Sequence, residues 1–427
     1  MNVSVKDDPR QLMQALFSVA VASAAPGRLM DRNLIPDQST GRTVVIGAGK
    51  AAASMAQALE ACCPGPLSGV VLTPYGHAKA CNEIEVLEAG HPIPDASGIR
   101  GAKRMLDIAV SLDEDDLMLC LLSGGGSALL TLPIAELSLA EKQQINQQLL
   151  ESGADISQIN CVRKHLSQIK GGRLAEAAWP GSTFTLLISD VAGDDPTVIA
   201  SGPTVADRSN CADALSIIDR YGIELNDQVR NLLSNRSLET PKPGTAKLAR
   251  SSHRIIGSPE LGLCAAAAYG REKGFEIHNL GDRVAGESRQ VGVKHARMLH
   301  DMIKTNTDNI PLLLLSGGET TVTVRGPGRG GPNREYLLAA AQALNGLPGT
   351  WGIACDTDGL DGSHDAAGAV ISPDTLARAA ALGLDAEKML SENDAGTFFS
   401  ALDDAVVTGP TCTNINDFRA LLYVPPA

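Results

Sequence analysis

Apolar runs and amphipathic stretches alternate along nearly the whole chain. Asp8-Pro9 is a good cap and first-turn pair, and Leu12, Leu16, Val19, Ala20 and Ala24 then recur at helical spacing, predicting a helix over 9–25. Strand-like runs fall at 43–48, 68–73, 84–88, 117–122 and 183–189. Helices at 51–61, 97–111, 138–152 and 162–177 fall between them. That alternation is the pattern of an α/β fold around a mostly parallel sheet, with helices on both faces. The polar, Pro-containing stretch 237–249 reads as a boundary, giving domains over 1–240 and 250–427. Beyond it, strands at 253–256, 275–278, 311–315, 350–355 and 404–408 alternate with helices at 259–274, 286–304, 333–344 and 373–384. TTVTVRG (320–326) alternates strictly, as a strand pairing antiparallel does, so the second sheet is expected to be mixed.

The chain has 427 residues, enough for two cores. Aromatic residues are only 3%, which argues against base-stacking nucleic-acid modules. The formal net charge of −13 gives no support for a polyanion partner. Any anionic substrate must be gripped by locally placed cations and amides. The nine cysteines show no ligand spacing, the N-terminal residues are too polar for a signal peptide, and no apolar run reaches the ~20 residues of a membrane span. A soluble, reduced, cytoplasmic protein is expected, binding small molecules, with no membrane or nucleic-acid partner and a homo-oligomer left open.

Three strands end in glycines. TVVIGAGKAA (43–52) places Gly47, Gly49 and Ala52 as in the Rossmann dinucleotide fingerprint, but inserts Lys50 and lacks a clear acidic residue ~20 positions on. A tight turn with a solvated lysine explains that loop equally well. LMLCLLSGGGSALL (117–130) ends in Ser123, Gly124, Gly125, Gly126 and Ser127, a candidate nest of amides for nucleotide phosphates; a closely packed turn without ligand is the plainer alternative. PLLLLSGGETTVTV (311–324) repeats the pattern but continues into Glu319.

Charged groups cluster near these loops. NCVRKHLSQIKGGRLA (160–175) gathers Arg163, Lys164, Lys170 and Arg173; Lys170 and Arg173 are candidates for a substrate anion, whereas Lys164 fits a solvated face. Asp190 ends a strand, and Asp194 and Asp195 follow, a set suited to Mg²⁺, although one of the latter pair also suits a helix cap before Pro196. Arg325, Arg329 and Arg334 surround a Gly-rich segment and suit a carboxylate or phosphate. CDTDGLDGSHD (355–365) packs Asp356, Asp358, Asp361 and Asp365 among glycines without EF-hand spacing.

Taken together, VIGAGKAA, LLSGGGSALL, VRKHLSQIKGGRLA, SDVAGDDPTVIASGPT, LSGGETTV, TDGLDGSHDAAGA and GPTCTNIND resemble the class II glycerate 2-kinases, a family some of whose members are labelled hydroxypyruvate reductase. The resemblance runs from about residue 10 to 424. It implies a Rossmann-like N-terminal domain, a MOFRL-like C-terminal domain and an active site in the cleft between them. It also implies transfer of the γ-phosphoryl of ATP to the 2-hydroxyl of D-glycerate, with Mg²⁺. Its functional lysine, glutamate and aspartate fall on Lys50, Glu319 and Asp358. The arginine of the family's GGRNQE motif is replaced here by Pro332, so Arg329 or Arg334 is expected to supply that charge. Under this reading Lys50 meets the transferring phosphoryl, the SGGGS amides hold nucleotide phosphates, and Asp190 with Asp194 or Asp195 holds the metal. Glu319 and Asp358 orient hydroxyl or metal, and Arg325, Arg329 and Arg173 engage the carboxylate. Two other readings remain: an NAD(P)H-dependent hydroxypyruvate reductase, favoured by the glycine fingerprint, and a nucleotide-binding sensor without catalysis.

Overall fold

The structure, a computed structural model, describes residues 8–36, 40–63, 65–362 and 366–426; His364 and Asp365 lie outside them. One six-stranded sheet contains β1 (Thr43–Ala48), β2 (Leu67–Pro74), β3 (Ile84–Ala89), β4 (Leu117–Ser123), β5 (Ser182–Ile188) and β6 (Ser251–Gly257), in the order β3-β2-β1-β4-β5-β6. The pairings β3–β2, β2–β1, β1–β4 and β4–β5 are all parallel. Every residue of β1 and β4 is buried, as their unbroken apolar runs require when helices cover both faces.

The second sheet is mixed. β7 (Glu276–Asn279), β9 (Leu312–Ser316), β11 (Thr350–Asp356), β12 (Gly368–Ile371), β13 (Ala405–Val406) and β14 (Asp417–Tyr423) stand in the order β13-β12-β11-β14-β9-β7. Only β7–β9 is parallel. Side chains alternate across β9: Leu313 and Leu315 enter a core with Leu12, Phe17 and Leu263, while Leu312 and Leu314 enter another with Leu299, Tyr336 and Leu421. A separate two-residue parallel pair joins β8 (Gly286–Glu287) to β10 (Thr320–Thr321).

The chain forms two compact units. One comprises residues 26–189 and 194–256, the other 1–25, 190–193 and 257–427. The boundary therefore differs from the predicted one on three counts. The helix Pro9–Ser23 belongs to the second unit, because its apolar stripe packs on the helix Pro259–Glu272 and on the mixed sheet. The stretch 237–249 lies inside the first unit, and the strand expected beyond it is β6, an edge strand of the first sheet. Residues 190–193 return to the second unit.

Local readings change too. The helix expected over 162–177 is two helices, Ile156–His165 and Arg173–Ala177. Between them Ser167 Oγ accepts from the amides of Ile169 and Lys170, a local bond that competes with helix continuation. The strand expected over 320–326 shrinks to Thr320–Thr321, because Asn393 Oδ1 takes the Arg325 and Gly326 amides instead of a strand partner.

Candidate functional site

The turns after β1 and β4 are bolted together. The Lys50 amide donates to Gly124 O at 2.8 Å, and the Ala51 amide donates to Ser123 Oγ at 3.0 Å. A Cβ on Gly47 would stand 2.7 Å from Leu121 O, and one on Gly49, whose φ is +139°, would overlap Ser123 Oγ. Glycine is thus required at both positions by the approach of β4. Ser123, fully buried, is a lock beneath the loop, and the expectation that it contacts phosphate gives way to this role. Likewise, Gly47 and Gly49 serve strand packing, and the amides that follow them are already engaged.

Above that lock, Gly124 and Gly126 are buried and Gly125 is left-handed at the start of a one-turn helix, Gly126–Leu129. A Cβ on Gly125 would lie 3.0 Å from His91 Nε2 and 3.3 Å from Lys50 Cγ, so Lys50 and His91 flank this glycine. Ser127 Oγ pairs with Ser201 Oγ at 2.7 Å, and Ser201 bonds Asn160 Oδ1 at 3.0 Å. Ala200, Ser201 and Gly202 all have positive φ, holding that second loop against the first. Lys170, fully buried, donates to Ser127 O at 2.8 Å. Burial, then the neighbouring cations Lys142 and Arg163, push its ammonium well below the ordinary lysine range. Arg173 does not join Lys170. The turn at Gly171 and Gly172 sends it to Leu238 O at 2.6 Å.

In the second unit, strand direction gathers a different set. Because β14 runs antiparallel to β9 and β11, its first residues lie at their C-terminal ends: Asp356 pairs with Asp417, and Ser316 with Arg419. Arg419, fully buried, bonds Gly317 O at 3.2 Å, Gly318 O at 3.3 Å, Thr320 Oγ1 and the Asp417 carboxylate. It clamps the second Ser-Gly-Gly loop from below and leaves Glu319 exposed at its tip. Burial, reinforced by the carboxylates of Asp361 and Glu319, pushes Asp417 up to about 6 against the pull of Arg419 and Asn333.

Asp358, buried, accepts from the Leu360 amide at 2.8 Å, and its carbonyl takes the Thr411 amide. Asp190 accepts from Asn414 Nδ2 at 3.1 Å, and its carbonyl accepts from Asn416 Nδ2 at 2.8 Å. The same Asn416 accepts the Thr357 amide, so GPTCTNIND braces both Asp190 and the turn carrying Asp358. Asp194 and Asp195 belong to the other unit. Asp195 caps the turn at Thr197, accepting its amide at 2.8 Å, so its metal role yields to the cap; Asp194 sits in left-handed geometry beside it.

Of the three arginines, Arg334 is buried in an ion pair with Asp361 at 2.9 Å, also donating to Asp361 O, and is spent on structure. Arg325 and Arg329 are exposed, their backbone amides fixed by Asn393 and Asp394. Sequence reasoning missed Arg419, Asn333, Ser201 and Lys142. Among the described residues, only His165, Cys211 and Glu239 bring three ligand-type atoms within 4.8 Å, and Lys242 already pairs with Glu239 at 2.6 Å. No helix of the described residues is long and apolar enough to cross a membrane.

Comparison with known proteins completes the picture. Residues 12–234 match the model described as a domain of unknown function, DUF4147, and residues 312–417 match the MOFRL family. A protein of Agrobacterium vitis named "Putative hydroxypyruvate reductase" is 48% identical over 97% of this chain and 94% of its own length. The D-glycerate 2-kinase of Thermotoga maritima is 38% identical over 98% of this chain and 100% of its own. A crystal structure of glycerate kinase from Thermotoga maritima has a TM-score of 0.88 at 37% identity, covering 97% of this chain and 99% of that one. With both domain models matched in order and relatives aligned nearly end to end, this chain belongs to the DUF4147–MOFRL family, the family of the glycerate 2-kinases.

Proposed function

We propose that this protein transfers the γ-phosphoryl group of ATP to the 2-hydroxyl of D-glycerate, giving 2-phosphoglycerate and ADP. The observation that carries the reading is the end-to-end likeness to a D-glycerate 2-kinase, 38% identical over all of that protein's length. The reductase reading draws on the name of the Agrobacterium vitis relative and on the GxGxxA spelling. Geometry weighs against it: the Lys50 and Ala51 amides, which a dinucleotide pyrophosphate would need, are bonded to Gly124 O and Ser123 Oγ.

Phosphoryl transfer is mainly positioning and charge neutralisation. Lys50, set beside Gly125, neutralises charge on the transferring group, and the Gly124–Ser127 turn offers amides to nucleotide phosphates. Glu319 and Asp358 hold the acceptor hydroxyl in line. Arg329 and Arg325, both exposed, are two cations that the second unit offers to the acceptor carboxylate. A magnesium ion fits the second unit's donor set, which is all oxygen; burial first, then the carboxylates of Asp361 and Glu319, raise Asp417 there. Asp190 and Asp358 would hold it, and it would supply charge neutralisation to the phosphates.

The test is a pair of assays on the purified chain: ADP release with ATP, Mg²⁺ and D-glycerate, and NADH or NADPH oxidation with hydroxypyruvate. ATP-dependent formation of 2-phosphoglycerate is expected. Nicotinamide oxidation without ATP, and no ADP release, would replace this reading by the reductase.

A further inference from the structure

Lys142 lies on the helix Leu139–Glu151 and is 3% exposed, yet its ammonium has no hydrogen-bond partner. One turn further along the same face stands Asn146, whose Oδ1 accepts from Arg163 Nε at 3.3 Å. Arg163 lies in the last turn of the next helix, Ile156–His165, near enough for its charge to bear on Lys142. Lys170, 2% exposed, completes the group from the following turn, its ammonium on Ser127 O.

Three cations thus converge inside a protein whose net charge is −13. Arg163 bears on Lys142, and Lys142 and Arg163 bear on Lys170, each disfavouring the ammonium form. Burial, then Arg163, pushes Lys142 down to about 7. A buried charge is ordinarily paired, and a structural lysine ordinarily finds an acceptor. Among the described residues no carboxylate is found to offset Lys142, Arg163 or Lys170, and an anion from outside the chain would fill that place. Arg163 and Asn146 are half-buried and form the open side. The two lysines are the buried members, and Lys170 reaches Ser127, whose hydroxyl continues through Ser201 to the Asn160 amide.

We propose that Lys142, Arg163 and Lys170 form a receptor for one small oxyanion, either the carboxylate of the hydroxy acid or a phosphate group of the nucleotide. The receptor stands whether or not the reaction assigned above is correct, because it is read from the buried, unpartnered Lys142 ammonium and the two cations beside it. Size and charge set its chemistry: a compact anion with two or more acceptor oxygens meets an ammonium, a guanidinium edge and a second ammonium.

Binding to the full chain is measured calorimetrically with D-glycerate, ADP and inorganic phosphate as separate probes. Lys142→Met keeps the aliphatic stem and removes the charge; Arg163→Gln alters the open side while keeping a donor for Asn146; Lys103→Met, on an exposed lysine, is the control. Both receptor variants are expected to weaken one probe at least tenfold and the control to weaken none. Loss confined to D-glycerate assigns the site to the carboxylate, and loss of ADP or inorganic phosphate assigns it to a phosphate group. A purely structural role would lower the melting temperature without selecting among probes. Should Lys142→Met fail to fold, Arg163→Gln decides alone. Folded variants that bind all three probes within twofold of the parent overturn the proposal.

Discussion

β4 and β9 both run apolar into Ser-Gly-Gly, yet the neighbouring strand turns the same letters to opposite ends. At β4, the lock is neutral: the Ala51 amide on Ser123 Oγ and the Lys50 amide on Gly124 O. The cation, Lys50, is left on top. At β9, the lock is itself a cation, Arg419, spent on the loop carbonyls and on Asp417. What remains on top is the carboxylate of Glu319. A repeated loop is therefore no guide to repeated chemistry. The group consumed in holding each loop decides which charge is left to meet a ligand.

The contrast breaks most sharply at Lys50, half-buried, and Glu319, exposed. Lys50→Ala is expected to lower turnover ~10³-fold with ATP binding little changed, because the lysine acts on charge that develops during transfer. Near-normal turnover in single-turnover kinetics would remove Lys50 from the reaction. Glu319→Gln should cost less, roughly 10²-fold, and shift the Mg²⁺ dependence of activity upward. Equal kinetic signatures for the two would dissolve the distinction between the loops.

The locks come next. A Cβ at Gly49 would overlap Ser123 Oγ and one at Gly318 would overlap Val284 O, both at positive φ. Gly49→Ala and Gly318→Ala should each cost about 2–4 kcal/mol in chemical denaturation. His295 probes the second lock by pH. It bonds Tyr336 OH at 3.0 Å, and Tyr336 faces Arg419. Burial, then Arg419 and Lys294, holds its imidazole down at about 4 against an ordinary 6.5. The unfolded chain therefore takes up a proton first, and stability present above pH 6.5 is lost as pH falls toward 4, by roughly 3 kcal/mol. His295→Gln should flatten that part of the stability–pH curve. The smallest effect is expected from Asp195→Ala, a loss of ~1 kcal/mol or less with turnover within twofold. A large fall in turnover with a raised Mg²⁺ requirement would return Asp195 to the metal.

Legibility followed burial. β1 was readable to the residue, because a strand covered on both faces is an unbroken apolar run. β14 escaped, although all seven of its residues are buried, because Asp417 and Arg419 interrupt its pattern and satisfy each other only in three dimensions. Lys142, set among Glu141, Gln143 and Gln144, reads as one more solvated residue of a polar helix face; only packing against the next helix puts it inside. Lys50, Glu319 and Asp358 were singled out by neighbouring glycines and by the family resemblance. The residues that hold those loops in place carry no local signal, since their partners lie tens of residues away.

The helix Pro9–Ser23 carries a last consequence, concerning synthesis. It is made more than two hundred residues before its partners, the helix Pro259–Glu272 and the mixed sheet. Leu12, Met13, Leu16 and Phe17 must wait, exposed, while the whole parallel sheet is made and folded. The nascent chain thus presents a sticky amphipathic helix while those partners are still unmade, a natural stretch for a chaperone to shield until they arrive.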